Sequence, residues 1–268
     1  MAVAAAPAPI GEMLRSWRRR RSLSQLELSL NAGVSSRHLS FLETGRARPS
    51  REMVLHLAQE LQVPARERNS LLLAAGFAPL HTERSLEEPE MAIVRQAIDR
   101  FLRAHEPYPA LVIDRYHDLL ASNDALELLL EGVAPDLLVP PANVLRIALH
   151  PHGLASRTLN LPEWSANLMQ RLHREVQMTA DPRLESLHEE LSGYPGVELT
   201  SPQSHLQGSD IVLALRLRDG DRELAFFSTI ATFGTAIDIT LEELSIEAFY
   251  PANAHTANRL LAQIDAGD

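Results

Sequence analysis

Apolar residues near the start of the chain recur with the spacing of short amphipathic helices. Ile10, Met13, Leu14 and Trp17 stand at i, i+3, i+4 and i+7, which places all four on one face of a helix. Four more segments of this kind follow, most of them starting at a serine or proline and several ending at a glycine. The pattern therefore predicts an all-α domain of five helices over residues 10–77.

Two of these predicted helices meet at a glycine corner. Ser24 is a candidate N-cap for the second helix, which continues to Ala32 and stops at Gly33, a residue that adopts positive φ without strain. Ser35 is a candidate N-cap for a third helix, which ends at Gly45. The sequence thus predicts two short helices joined by a sharp turn.

The pattern changes after residue 90, where short strand-like segments alternate with helices. Residues 211–218 and 224–233 flank an Asp219-Gly220 turn, the strongest hairpin signal in the chain. Asn123 is a candidate N-cap for a helix that runs to Leu130. The other predicted elements are a helix over 90–104, strands over 110–113 and 119–121, helices over 144–149, 163–178 and 182–191, a strand over 244–250 and a final helix over 254–264. Together they predict an α+β domain over residues 90–268.

Charge and composition support this division. Residues 78–89 contain two prolines and three acidic residues and are predicted to form a linker, while residues 1–9 are predicted to be a disordered tail. Residues 1–80 contain eleven arginines and six glutamates, a net charge of +5. Since the whole chain has a net charge of −10, the remaining residues carry −15. Only the first domain is therefore expected to meet a polyanion such as DNA.

Several functional classes lack their usual signatures. The chain has no cysteine, which excludes disulfides, thiolate chemistry and Cys-ligated metals. Motifs for phosphate, nucleophile and zinc chemistry are missing, so neither catalytic residues nor a cofactor are expected. His150 and His152 lack neighbouring carboxylates, and we expect no metal site there. No apolar run is long enough to span a membrane and no signal peptide is recognisable, which predicts a cytoplasmic protein without membrane contact.

The segment from Leu23 to Ser50 carries LSQ, AGVS, LE-GR and P in that order. It closely resembles the Cro/cI-type (XRE) helix-turn-helix. This resemblance implies that the helix Ser36 to Glu43 enters the major groove of a double-stranded DNA operator, and that Gln25 contacts a phosphate. Ser29 departs from the family pattern, because alanine is usual at that position.

The outward side of the third helix supplies the predicted DNA contacts. Arg37 is expected to bridge guanine O6 and N7, Phe41 to pack on a thymine methyl group, and Arg46 and Arg48 to contact phosphates. One such helix makes few base contacts, so we expect a homodimer that reads half-sites about 34 Å apart. The predicted DNA-binding residues are Gln25, Ser35, Ser36, Arg37, His38, Ser40, Phe41, Arg46 and Arg48.

The segment from His105 to Ala110, followed by Val112 to Arg115 and Asn123, resembles the ligand-binding domain of MmyB-like transcription regulators. The resemblance implies a PAS-like sensor that holds a small, largely apolar, fatty-acid-like ligand. A carboxylate on this ligand is expected to meet Arg146 or Arg157, and Phe233 and Phe249 are further aromatic candidates for the pocket wall. The predicted ligand-binding residues are Tyr108, Asn123, Arg146, Trp164, Phe226 and Phe227.

Two alternatives to a ligand-controlled DNA reader stay open. One is a protein-binding adaptor with a vestigial helix-turn-helix, and the other is an enzyme with an accessory helix-turn-helix. Steeply salt-dependent DNA binding separates a DNA reader from an adaptor. Polar groups that converge on one reacting atom indicate an enzyme, whereas a closed apolar cavity indicates a sensor.

Overall fold

The computed structural model describes residues 9–200, 212–234 and 238–267. The chain divides into two units between Glu83 and Arg84, and the short segments 177–180 and 238–239 are grouped with the first unit. This division falls within the stretch 78–89, whose composition predicts a linker. The domain limits of 10–77 and 90–268 remain predictions.

The described residues before Glu83 form helices and no strands, which confirms the predicted all-α character of this unit. The helices are α1 (Ile10–Arg20), α2 (Gln25–Asn31), α3 (Ser36–Glu43), α4 (Arg51–Glu60) and α5 (Ala65–Ala74). Their apolar faces meet in one core that includes Leu14, Trp17, Leu28, Leu39 and Leu57. The periodic apolar positions of the sequence therefore face this core, where Leu14 and Trp17 are buried and Ile10 and Met13 are partly buried.

Serine caps fix where α2, α3 and α4 begin. The Ser24 hydroxyl accepts a hydrogen bond from the Glu27 backbone N–H at 3.1 Å, and the Glu27 carboxylate accepts one from the Ser24 N–H at 2.7 Å. Ser35 caps α3 in the same way by accepting from the His38 N–H at 3.2 Å. Gly33 takes a φ of 62°, so the corner between α2 and α3 needs the left-handed conformation that glycine adopts most readily.

The second unit combines an antiparallel sheet with helices, which confirms its α+β character. Its strand order is β2-β1-β5-β4-β3, and every neighbouring pair is antiparallel. A PAS-like fold remains a prediction. The elements are α6 (Ala92–His105), β1 (Ala110–Ile113), β2 (Leu119–Ser122), α7 (Glu127–Leu130), α8 (Val144–Leu149), α9 (Leu161–Thr179), α10 (Pro182–Ser192), β3 (Leu215–Asp219), β4 (Arg222–Thr232), α11 (Ile239–Glu242), β5 (Ser245–Pro251) and α12 (Ala254–Gly267), with short 3₁₀ turns at Pro89–Met91, Asp124–Leu126, Pro135–Leu138 and Leu154–Ser156.

The sheet separates two apolar clusters because successive side chains of a strand point to opposite faces. On one face, Leu111 and Phe249 belong to the large core of this unit. On the other face, Val112 and Ile246 pack with Leu102 of α6. The strand β1 is buried along its whole length, since both of its faces are covered.

Some local predictions need correction. The two hairpin residues are Gly220 and Asp221 rather than Asp219 and Gly220, because Asp219 pairs with Arg222 in the ladder and Gly220 takes the positive φ of 57°. Ile211, the predicted start of this hairpin, lies outside the described residues. The helix α11 was not predicted, since four residues are too few for a periodic signal.

Asn123 does not act as the predicted N-cap. Its side-chain oxygen accepts a hydrogen bond from the Ala110 N–H at 2.9 Å, and its amide group donates to the Tyr108 carbonyl at 2.8 Å. Asn123 is buried, and these bonds connect the end of β2 to the start of β1. The amide thus satisfies strand backbone groups instead of the first turn of a helix.

Candidate DNA-binding surface and ligand cavity

Close packing with α1 holds α3 in place. A Cβ atom on Gly11 would lie only 2.5 Å from the Leu42 carbonyl oxygen and 2.7 Å from that of Glu43. The two helix backbones therefore approach to a distance that only glycine permits. Leu39 and Leu42 lie on the buried side of α3, and the opposite side of this helix faces solvent.

A buried ion pair lies under the same helix. The Arg18 guanidinium donates two hydrogen bonds to the Glu43 carboxylate, at 2.6 and 2.9 Å, and the Gln25 side-chain amide donates a third at 2.8 Å. Glu43 is only 5% exposed, and burial alone would raise its pKa. The hydrogen bonds from Arg18 and Gln25 outweigh burial and hold the pKa of Glu43 below its ordinary value.

Gln25 is oriented by this carboxylate. It is half-buried in the first turn of α2, and one of the two amide hydrogens of its side chain is used by Glu43. A primary amide has two N–H donors, so a second one stays available at a helix N-terminus.

The exposed side of α3 presents an arginine beside an aromatic ring. Arg37 is exposed, and its guanidinium carbon lies 5.3 Å from the centre of the half-buried Phe41 ring, which is the range of a cation–π contact. The Phe41 carbonyl accepts a hydrogen bond from the Arg46 N–H at 2.8 Å. Because of this bond, the loop that carries the exposed Arg46 and Arg48 is tied to the end of α3.

Two serine hydroxyls connect α2 to α3. Ser29, which is buried, bonds to the Leu26 carbonyl at 2.8 Å and to the Ser36 hydroxyl at 2.8 Å. A hydroxyl has one hydrogen, so both bonds form together only if Ser36 donates to Ser29. The hydroxyl that replaces the usual alanine therefore links the two helices of the motif.

The second unit contains a cavity beside the sheet. The centre of a water-sized sphere can move through about 70 Å³ of this space. Most of its lining side chains are aliphatic or aromatic and come from the sheet and from helices α7 to α9, for example Leu111, Leu129, Val144, Trp164, Leu168 and Phe249. A wall of this character suits a small, mainly apolar molecule.

The comparisons with known proteins agree with this geometry. The family model described as MmyB-like transcription regulator ligand binding domain matches residues 94–262, more than half of the chain. The chain belongs to this family. A model described as Helix-turn-helix domain matches residues 9–71.

Curated relatives of this MmyB-like protein carry compatible names. It is 32% identical over 106 residues to the uncharacterized HTH-type transcriptional regulator RghRB of Bacillus subtilis (strain 168), a match that covers 39% of this chain and 68% of the relative. It is 30% identical over 115 residues to the uncharacterized HTH-type transcriptional regulator MT0491 of Mycobacterium tuberculosis (strain CDC 1551 / Oshkosh), covering 43% of this chain and 74% of the relative. The protein is thus a transcription regulator with a DNA-binding helix-turn-helix domain and a domain for a small-molecule ligand.

All nine residues predicted to contact DNA lie on α2, α3 or the loops next to α3. Ser35 uses its hydroxyl as a helix cap, and His38 and Ser40 are half-buried on α3. No local signal indicates that Gln25 bonds to Glu43 or that Ser36 bonds to Ser29, because each partner lies on another helix.

The residues predicted to contact the ligand are only partly at the cavity. Trp164 lines it, as does the further candidate Phe249. Arg146 does not line it, because its guanidinium forms two hydrogen bonds to Glu190, at 2.8 and 2.7 Å. Arg157 is also elsewhere and donates to the Glu131 carbonyl.

The remaining predicted ligand residues belong to the structure of the MmyB-like domain. Phe226 is fully buried and packs edge-on against Phe249, with ring centres 6.5 Å apart. Phe227 points to the opposite face of the sheet, where it stacks on Tyr250 at 5.4 Å. Tyr108 contacts the same Tyr250 ring at 6.2 Å. Asn123 joins strand backbone groups, as described above, and Phe233 belongs to the cluster on the α6 face.

Two charged side chains at the cavity were not among the predicted site residues. Arg171 of α9 and Glu247 of β5 line it, and they are its only charged lining residues in the described part of the chain. Glu247 is followed two positions later by Phe249, so strand alternation was the signal that placed this acid on the same face as a candidate pocket residue.

The structure also bears on two of the expected absences. No helix in the described ranges combines the length and apolar character that a membrane span requires. Those ranges contain no cluster of three or more His, Asp or Glu side chains with the geometry to bind a metal ion. Helix-turn-helix regulators are in general not enzymes, and the lack of catalytic activity remains a prediction for this chain.

Proposed function

We propose that this protein is a homodimeric, sequence-specific DNA-binding regulator that responds to a small, fatty-acid-like molecule bound in its MmyB-like domain. The observation that carries the DNA-reading part is the exposed Arg37 guanidinium held over the Phe41 ring on the outward side of α3. A cation positioned in this way loses little conformational freedom when it meets a base edge, because the ring has already restricted it.

Distinct roles follow for the residues around this pair. Arg37 bridges guanine O6 and N7, and Phe41 packs on a thymine methyl group. Gln25 directs its remaining amide hydrogen to a phosphate, since Glu43 fixes the side chain at the N-terminus of α2. Arg46 and Arg48 add phosphate contacts from the loop that Phe41 holds.

A homodimer supplies the rest of the specificity. One recognition helix contacts too few base edges for tight binding, and two-fold symmetric readers of this kind bind half-sites about 34 Å apart. We therefore expect the selected sites to be palindromes whose half-sites lie one helical turn apart.

The ligand class follows from the cavity wall. Aliphatic and aromatic side chains favour an acyl chain, for which each buried methylene group contributes about 0.8 kcal/mol. Arg171 replaces Arg146 and Arg157 as the expected partner of the ligand's acidic group, because it lines the cavity and is the one cation to do so among the described residues.

Selection from a library of random DNA duplexes tests the DNA-reading part. The full-length protein should enrich a palindromic site. Arg37→Ala should relax the choice at one base pair per half-site, with about 1–3 kcal/mol of discrimination lost, whereas Gln25→Ala should weaken binding to all duplexes alike. Arg100→Ala, which changes an exposed arginine of α6, is the matched control and should leave the selected site unchanged.

Two results would contradict this assignment. Equal losses on all duplexes for Arg37→Ala and Gln25→Ala would remove the distinction between base and phosphate contacts. Binding that is absent, or that does not weaken steeply with added salt, would favour the protein-binding adaptor instead.

A further inference from the structure

An acidic side chain stands in an apolar wall at the centre of the sheet. Glu247 lies on β5, opposite Leu111 of β1, and on the same strand face as Phe249. It is 6% exposed and lines the cavity. Carboxylates are rarely buried without partners, because leaving water is costly for a charge.

The protein supplies only part of what this carboxylate needs. The Ser228 hydroxyl donates to one of its oxygens at 2.7 Å, and this is the one side-chain hydrogen bond to Glu247 within the described ranges. A carboxylate offers about four acceptor positions. The residues around the cavity are mainly apolar, so most of this acceptor capacity faces space that a ligand would fill.

Arg171 likewise has no partner among the residues that the structure describes. It is half-buried in α9, and its guanidinium forms no ion pair or hydrogen bond with any residue that the structure describes. In particular, it does not pair with Glu247, although both line the same cavity. The cavity therefore presents a cation and an acceptor at separate points of one apolar wall.

We propose that the ligand is an amphiphile with two polar groups: an anionic group that binds Arg171, and a hydroxyl or amide N–H that donates a hydrogen bond to Glu247. This proposal rests on the proposed role of the cavity as the ligand site and makes it more specific. An unsubstituted fatty acid satisfies Arg171 but leaves the Glu247 carboxylate against methylene groups. Sites built to bond a hydroxyl discriminate strongly against analogues that lack it.

Trp164 provides the measurement. It lines the cavity, and the chain has only one other tryptophan, so Trp17→Phe leaves Trp164 as the single reporter in the full-length protein. Fluorescence titrations would compare decanoic acid with 2-, 3- and 10-hydroxydecanoic acids, and each acid with its methyl ester. We expect at least one hydroxy acid to bind about tenfold or more tightly than decanoic acid, and to bind more tightly than its own ester.

Two substitutions separate the two contacts. Glu247→Gln keeps a partner for Ser228 but removes the acidic acceptor, so the preference for the hydroxy acid should fall to about twofold or less while the preference for acid over ester persists. Arg171→Gln should show the reverse pattern. Ser228→Ala is a further variant that keeps the test valid if Glu247→Gln fails to fold: it leaves the ligand as the remaining donor and should increase the hydroxyl preference.

The outcomes separate two hypotheses: that the cavity binds an acyl ligand, and that Glu247 accepts a hydrogen bond from it. If decanoic acid and all hydroxy acids bind with equal affinity, the cavity is a ligand site and the role of Glu247 is refuted. If none of these compounds changes Trp164 fluorescence or the thermal stability of the protein, the acyl ligand itself is wrong, and the two-group proposal fails with it.

Discussion

The two candidate sites of this protein differ in how they relate to the hydrophobic core. On α3, the side chains proposed to read DNA lie outside the core, and Arg37 makes its cation–π contact at the surface. In the second unit, the wall of the cavity is the core, since Leu111, Leu168 and Phe249 are members of the main buried cluster. In the first unit, the side chains proposed to contact DNA are therefore distinct from those that stabilise the fold. In the second unit, the same side chains line the cavity and form the core.

Each arrangement has one exception. Beneath the DNA-reading side chains, Glu43 is buried and supports both the fold and the orientation of Gln25. In the cavity, Arg171 is half-buried and lacks partners among the described residues, so it contributes little to the core. These exceptions provide the sharpest ways to test the comparison.

Phe249→Ala should produce the largest loss of stability. Truncating a buried phenylalanine costs about 3–5 kcal/mol, and here the same change also removes part of the cavity wall. Urea unfolding followed by Trp164 fluorescence in the Trp17→Phe background measures this loss. Ile93→Ala, at a position of α6 that is 75% exposed, is the control and should change the unfolding free energy by about 0.5 kcal/mol or less. Similar effects for both variants would mean that Phe249 is not a core residue.

Glu43→Ala should destabilise the first unit by a similar amount, about 3–5 kcal/mol, because it leaves the buried Arg18 without its counter-ion. Trp17 fluorescence in a Trp164→Phe background reports the unfolding of this unit. An exposed pair in the second unit, Arg216 and Glu223, gives the contrast: Glu223→Ala should cost about 1 kcal/mol at most. A loss below that limit for Glu43→Ala would show that the ion pair does not hold α1 against α3.

The same carboxylate predicts a pH dependence. Since the pKa of Glu43 is lower in the folded protein than in the unfolded chain, its contribution to stability is complete at neutral pH. It is lost as the pH falls through the folded-state pKa, which lies below the ordinary value of 4.5. Urea unfolding of the wild type and Glu43→Gln between pH 7 and 3 should show a difference in stability that narrows on acidification. A constant difference would contradict the direction of the shift.

Ser24→Ala should have the smallest effect of the set. Loss of an N-cap costs about 1 kcal/mol, because the Glu27 backbone N–H loses its acceptor, whereas the bond from the Ser24 N–H to the Glu27 carboxylate does not use the hydroxyl. Ser16→Ala, an exposed serine of α1, should be nearly neutral in the same Trp17 unfolding measurement. The DNA site selected by Ser24→Ala should not change, because the hydroxyl lies in a cap and not among the proposed base contacts.

The first unit could be predicted closely because its signals are local. Caps at Ser24 and Ser35, the turn at Gly33 and the apolar positions of each helix all act over a few residues. The hidden partners of Gln25 and Ser36 could not be predicted, because a hydrogen bond to Glu43 or Ser29 depends on how one helix lies against another.

The cavity was harder to predict for the same physical reason. Its wall combines residues from Leu111 to Phe249, which meet only after the sheet and three helices have packed. Aromatic character indicated Trp164 correctly as a lining residue but also suggested Phe226, whose ring fills the core instead. An arginine near a pocket looks equally suitable in sequence whether it is paired, as Arg146 is with Glu190, or unpaired.

The pairing of β1 with β5 has a consequence for the order in which the protein forms. Ala110 on β1 pairs with Ala248 on β5 in the antiparallel ladder. The centre of the sheet therefore cannot assemble until the ribosome has released residues far along the chain. The helices α1 to α5 emerge first, and the fully buried side chains of their core all come from residues before Glu83. During synthesis, the core of the DNA-binding unit can therefore form before the cavity does. Until β5 is synthesised, the apolar strand β1 lacks this partner and is exposed to chaperones and to other nascent chains.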